Sequence, residues 1–392
     1  MSLRTVGLFA GIGGIELGLE RAGLETMTLC EVDEAARSVL KARFDVPVGM
    51  IRRDVRTIKR LPRAHVLAAG FPCQDLSQAG RKAGIGGSQS SLVGEVFRLI
   101  EGPTAPTWLL LENVSYMLSL DRGKAMHVLV TALEEMGYLW AYRVVDARSF
   151  GVAQRRQRVI LVASRVHDPR QVLFADESGA EDFDDSVGEV DLDAWYGFYW
   201  TEGLRGLGWT RNAVPTIKGG SQLGIPSPPA IWRPRTGEVG TPGIEDLEAL
   251  QGFERGWTEP ALNATGANRG ARYKLVGNAV CTAMSTWVGH RIVEPGEPVS
   301  VGVAMKSQAR WPNAAWGSAG SGRWVVPISK RPLSSTFSLM ETVPSLNPLS
   351  ARATAGFLSR ARRGKLRFSE GFLEALQAHL DSVLDESGEL VA

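Results

Sequence analysis

Two rhythms of apolar and polar positions alternate over the first 165 residues. An apolar, β-prone run at 4–9 ends in the glycine turn Ala10-Gly-Ile-Gly-Gly14. Residues 15–22 then space their apolar side chains three and four apart, up to Gly23. The alternation continues with strands at 27–30, 65–71, 108–111, 142–145 and 159–162 and helices at 34–43, 92–100 and 124–136. Such repeated βα units predict an α/β fold with one doubly wound, mostly parallel sheet. In that architecture functional side chains gather beyond the carboxyl ends of the strands. Gly11, Glu31, Asp54, Cys73 and Glu112 all stand at such ends.

The rhythm is lost after residue 165. Residues 176–193 hold nine acidic side chains and no lysine or arginine, which reads as a solvated or mobile segment. Residues 195–243 are rich in glycine, proline and aromatic side chains and read as irregular or β-like. Helical spacing returns at 244–251 and from 277, and 295–298 reads as a linker. Beyond it come Trp311, Trp316 and Trp324, and then a segment at 350–367 with six basic residues and no acidic ones.

Composition narrows the class. A hydrophobic share of 44% and a charged share of 22% are those of a soluble globular protein. No apolar run approaches the ~18 residues of a membrane span, and the first residues lead into a strand with no signal peptide, so a cytoplasmic protein is expected. Cys30, Cys73 and Cys281 are too few and too scattered for a disulfide framework or a zinc site. The net charge of +2 neither requires nor excludes a nucleic-acid partner.

Two features carry candidate chemistry. The dinucleotide pattern G-x-G-x-x-G breaks at Glu16, which argues against NAD and for a nucleoside cofactor without a pyrophosphate. Glu31 follows about 20 residues later, where such folds hold a ribose; a purely structural turn explains the glycines equally well. Cys73 stands behind Pro72 on a rigid strand-to-loop corner, which suits either a nucleophile or a small buried thiol. With His65 the nearest histidine, nothing suggests the Cys–His pair of a thiol hydrolase.

Taken in order, these segments resemble the DNA cytosine-C5 methyltransferases over 4–165 and again over about 213–290. Phe9, Ala10, Gly11, Ile12, Gly13 and Gly14 look like that family's first cofactor motif. The resemblance makes Glu31, with Val32, the ribose-binding site, Asp54 and Val55 the adenine contact, and Leu92 a residue packing on the adenine. Phe71, Pro72, Cys73 and Gln74 match the catalytic loop, and Glu112-Asn113-Val114 the motif that grips the base. Arg156 and Arg158 fall in the Q-x-R-x-R motif, and Asn278, Ala279 and Val280 in the last motif, which returns to the cofactor.

The implied activity is methylation of C5 of a flipped-out cytosine in double-stranded DNA, from S-adenosyl-L-methionine, leaving S-adenosyl-L-homocysteine. In that scheme Cys73 attacks C6, Glu112 serves N3 with a raised carboxyl pKa, and Arg156 or Arg158 binds O2. Arg156 is the expected cation beside the thiol. Asn113 braces the loop, and Gln74 and Ser77, with Arg81 and Lys82 beyond them, lie on the segment closing over the base.

The implied division is a catalytic domain over 1–170 and 270–292, a short target-recognition region over 171–269 and an extension over 293–392. The extension either shares DNA recognition through Arg360, Arg362, Arg363 and Lys365 or docks a partner protein. A restriction enzyme is a possible companion, the expected state is a monomer, and no membrane is involved. The chain departs from the family at Glu245 and Gln89, where arginines are usual, and at Cys281, where proline is common. Two rival readings are a tRNA cytosine methyltransferase, whose Cys-Phe-Thr segment is absent here, and a non-catalytic binding protein on the same scaffold.

Overall fold

The computed structural model describes residues 2–71, 92–220, 226–266, 269–306 and 310–387. Strands β1 (Arg4–Leu8), β2 (Glu25–Cys30), β3 (Ile51–Arg52), β4 (Val66–Gly70) and β5 (Trp108–Val114) lie in the order β3-β2-β1-β4-β5, all parallel. The order reverses direction between β1 and β4. The loops that leave these neighbours therefore part and open a crevice at the sheet's carboxyl edge.

Helices α1 (Gly14–Arg21), α2 (Glu34–Arg43), α3 (Leu92–Ile100) and α4 (Lys124–Glu135) form between the strands as the apolar spacing predicts. One face of the sheet buries Val6, Leu8, Leu67 and Leu111 under α3 and α4. The other buries Val66, Ala68 and Leu110 under Ile15 and Leu19 of α1 and the later Trp287 and Val288. Coverage on both faces suits the near-continuous apolar strands of a parallel sheet.

Parallel pairing stops at β5. Strand β6 (Leu139–Asp146) returns through the short β7 (Gln154–Arg155) to β8 (Gln157–Ser164), which inserts antiparallel between β5 and β6. The connection holds no crossover helix, and a parallel pair needs one. Taken whole, the sheet has ten strands and is mixed, the doubly wound part being its first five.

A second, antiparallel sheet is built from β9 (Tyr196–Phe198), β10 (Thr210–Arg211), β12 (Ala230–Arg233) and β13 (Glu238–Thr241). Between them β11 (Val214–Pro215) pairs in parallel with β7 as a separate two-stranded ladder, which joins this module to the connection between β6 and β8. Helices α5 (Ile244–Ala249), α6 (Arg269–Asn278) and α7 (Thr282–Val293) then lead back to the catalytic edge.

The chain after 293, read from the sequence as one extension, is divided between the two sheets. Strands β14 (Val303–Ala304), β15 (Ala314–Ser318) and β16 (Gly322–Val325) continue the main sheet, with β15 antiparallel to β6. Strand β17 (Asn347–Pro348) joins β13 of the small sheet. Helices α8 (Ala351–Arg363) and α9 (Phe372–Ser387) follow, and Phe357 and Phe372 fill the small sheet's core beside Phe198, Trp209 and Trp232.

The acidic stretch 176–193 is solvated, as expected, with no residue buried and most exposed, but ion pairs and hydrogen bonds tie it to the rest of the chain. Asp176 accepts from Trp287 and Arg291, and Glu177 from buried Arg143 and from Ser329. Asp185 pairs with Arg148 and Arg155, Asp191 with Arg211 and Asp193 with Arg235. Its counter-charges come from distant parts of the chain, so no local charge count reveals them.

Candidate active site

The first half of the site is the loop after β1. Phe9 takes a left-handed φ of 55°, and Gly11 and Gly13 follow at 56° and 85°. Such angles are strained for Phe9 and easy for glycine. The loop is fixed from the next strand: Glu31, just past β2, accepts the Gly11 amide at 2.8 Å on one oxygen and the Asp33 amide at 2.8 Å on the other. A carboxylate oriented by two amides keeps lone pairs for a hydroxyl ligand. Among the described residues, no atom lies within 4 Å of where a Gly11 side chain would start, whereas one at Gly14 would strike the Val280 carbonyl. The segment 278–280 therefore closes directly onto the glycine loop.

The neighbouring residues of the cofactor motifs are spread more widely. Val55 and the partly buried Leu92 line the core cluster below the loop, while Val32 is two-thirds exposed. Asp54 accepts from Arg56 Nε at 2.9 Å and Nη2 at 2.7 Å, which holds its carboxyl below the usual carboxylate range. Asn278 lies on the surface, against Gly219.

The second half lies across the crevice. Gly70, the last residue of β4, is in register with Glu112 of β5. A methyl group on Gly70 would lie 3.5 Å from Glu112 Oε2 and 3.8 Å from both Ile15 Cδ1 and Val280 Cγ2. Glu112 and Arg158 are nearly buried and form an ion pair at 2.8 Å between Oε1 and Nε. Asn113 donates through Nδ2 to the Phe71 carbonyl at 3.0 Å and accepts the Val114 amide at 2.9 Å. It thereby fixes the backbone that leads into the next residues. Pro72, Cys73, Gln74, Ser77, Arg81, Lys82 and Gln89 lie outside the described residues.

The two arginines of the Q-x-R-x-R segment part company. Arg158 meets Glu112. Arg156, 1% exposed, turns away and donates to the carbonyls of Ile217 at 3.2 Å, Gly277 at 3.3 Å and Ala279 at 2.5 Å. Burial first, and Arg158 second, press its pKa below the ordinary arginine range. Gln154 does similar work, donating to the Leu250 carbonyl and accepting the Ile217 amide. Both residues clamp the small module and the final motif to the sheet.

The basic segment of α8 is divided in the same way. Arg360 donates to the Trp200 and Glu202 carbonyls, whereas Arg362, Arg363 and Lys365 are exposed. Sequence reading meets Glu16 only as a break in the glycine pattern and misses that it is a buried group at the site. Its only sequence signal is a carboxylate on the first turn of α1 facing a gap in the β1 side-chain row, Gly7.

The chain matches the family model for C-5 cytosine-specific DNA methylases over residues 3–187. It is 48% identical to the type II methyltransferase M2.BsuMI of Bacillus subtilis strain 168, over 98% of this chain and the whole of that protein. It is 37% identical to the type II methyltransferase M.MspI of Moraxella sp, over 41% of this chain and 38% of that one. An Entamoeba histolytica methyltransferase structure overlays 73% of this chain and 96% of its own at a TM-score of 0.50 and 13% identity, a likeness of fold alone. With a glycine loop braced by Glu31, a Glu112–Arg158 pair across the crevice and a full-length relative of this kind, the chain belongs to the C-5 cytosine-specific DNA methylases.

Proposed function

We propose that this DNA cytosine-5 methyltransferase acts on a cytosine turned out of double-stranded DNA at a specific sequence, through a transient bond from Cys73 to C6. The observation that carries the reading is the Glu112–Arg158 pair at the end of β5, beside Gly70, three residues before Cys73. C5 of cytosine is a weak nucleophile. Addition of a thiolate at C6 makes the ring enamine-like and divides one hard step into two. Glu112 serves N3 of the base, and Arg158 holds the carboxylate and reaches O2. Asn113 steadies the start of the catalytic loop through the Phe71 carbonyl. Arg156 is a positioning residue here, since its guanidinium is engaged by three carbonyls.

S-adenosyl-L-methionine fits the residues at the glycine loop and, when bound, supplies an electrophilic methyl group. Glu31 would take its ribose hydroxyls, Asp54 and Leu92 the adenine side, and Gly11 leaves room for close backbone approach. DNA would be read by the small module and gripped by Ser77, Arg81 and Lys82 of the loop and by the exposed Arg362, Arg363 and Lys365. Arg360, engaged by carbonyls, supports that surface from beneath. The expected setting is a cytoplasmic monomer, and the type II character of its relative supports a restriction endonuclease of the same target as its companion.

The test is bisulfite sequencing of DNA from cells expressing the wild type or Cys73→Ser. New 5-methylcytosine at one consensus, absent with the variant, is the expected result. An unmethylated genome with the folded wild type would overturn the reading.

A further inference from the structure

Glu16 sits in the first turn of α1, directly after the glycine loop, and is 1% exposed. Among the described residues, neither carboxylate oxygen meets a hydrogen-bond donor from another residue, and only its own backbone amide assists it. It fills the volume that a side chain at Gly7 would need: a Cβ there would collide with Oε1 and lie 2.7 Å from Cδ. Gly7 pairs with Leu29 of β2 on one side and Ala68 of β4 on the other. The carboxyl group therefore lies against β1 just before the loop leaves it, at the point where the sheet reverses order.

The charged groups acting on Glu16 share its sign: Glu20, one turn along α1, and Glu31 beyond β2. On the side of α1 that faces α7, Gly18 meets the Ser285 Cβ and the backbone of Thr282 and Thr286, and Ile15 and Leu19 share a core with Met284, Trp287 and Val288. Burial chiefly, and those two glutamates next, raise its pKa to about 8. A buried carboxyl without a partner is costly, and the cost is recovered where a ligand completes it. Two carboxylates beside one loop, Glu16 and Glu31, favour a ligand with a positive end.

We propose that Glu16 receives the α-ammonium group of the cofactor's methionyl end and ionises as it does so. The carboxyl O–H proton passes to solvent, and the carboxylate accepts an N–H of the ammonium. The proposal rests on the cofactor reading above, with Glu31 holding the sugar at the end of β2 and Glu16, against Gly7 of β1, meeting the other end of the ligand.

S-Adenosyl-L-homocysteine is the right probe, because it keeps the ammonium and lacks the sulfonium charge. Its binding to the full-length protein is measured calorimetrically at pH 6.5 in two buffers of different ionisation enthalpy. There an α-amino group of ordinary pKa ~7.7–8.0 is already protonated, so any proton released comes from the protein. The wild type should release close to one proton. Glu16→Gln should release none and bind about tenfold or more weakly, the scale of a lost charge-assisted hydrogen bond. The analogue lacking the amino group should release no proton from the wild type, a comparison that needs no variant to fold.

Wild-type binding without proton release would overturn the proposal and leave the cofactor reading standing. So would a folded Glu16→Gln that binds within twofold of the wild type. Failure of S-adenosyl-L-homocysteine to bind the wild type would remove both.

Discussion

The catalytic edge and the small module solve the same problem, placing side chains on a rigid frame, by opposite means. At the catalytic edge each functional residue lies within a few positions of a strand end, and hydrogen bonds to neighbouring strands fix it: Glu31 to Gly11, Asn113 to Phe71, Arg158 to Glu112. The small module takes its sheet from residues 196–241 and completes the core with Phe357 and Phe372 from near the end of the chain. One region is made of short-range motifs, the other of a long-range assembly. On the proposed function, the first would hold the chemistry that stays constant and the second the surface that varies with the target sequence.

Substitutions can test that division. The largest effect is expected at Glu112→Gln, which should lower the methyl-transfer rate by about 10²–10⁴ while leaving the melting temperature nearly unchanged. Transfer of labelled methyl groups to a duplex measures it; a loss under tenfold would move Glu112 out of the chemistry. Phe372→Ala should cost about 3–5 kcal/mol, because its ring lies 5.0 Å from Phe198 and Trp209 and 5.3 Å from Trp232. Urea unfolding followed by tryptophan fluorescence shows whether the small module melts separately or takes the parallel sheet with it.

Arg156→Met separates the two arginines. It strands three carbonyls, at about 1–3 kcal/mol for each that water cannot reach, so a stability loss of ~3 kcal/mol is expected. Arg158→Lys should instead leave the thermal melt in place and lower the rate. The reverse pattern would exchange their roles. The smallest effect is expected from Arg363→Ala with Lys365→Ala: the salt dependence of DNA binding should become shallower by about one unit of log–log slope for each phosphate that is no longer neutralised. Fluorescence anisotropy over a salt series reads it, and an unchanged slope would assign this end of α8 to another partner.

The same division explains what is legible in the sequence. Four of the five parallel strands can be read there because apolar runs and glycine turns are local signals, whereas β3, only two residues long, gives no such run. Glu31, Glu112 and Asn113 are singled out there through the family's motifs. Arg156 is not distinguishable from Arg158, because only the path of the chain from 217 to 279 decides which guanidinium meets the carbonyls. The acidic stretch reads as loose because its partners Arg143, Arg211, Arg235 and Arg291 are remote in sequence. Glu16 reads as a broken glycine pattern, since the gap it fills belongs to another strand.

The pairing of β15 with β6 also sets an order of events during synthesis. Residues 139–146 leave the ribosome with one side unpaired, and their partner at 314–318 lies about 170 residues later. At about 5–20 residues per second, that edge waits on the order of ten seconds or more for its own chain to cover it. During that interval an open strand backed by a large apolar face is a template for other strands. The nascent chain therefore passes through a stage in which its long-term stability depends on a segment not yet made, and shielding by chaperones matters most between those two points.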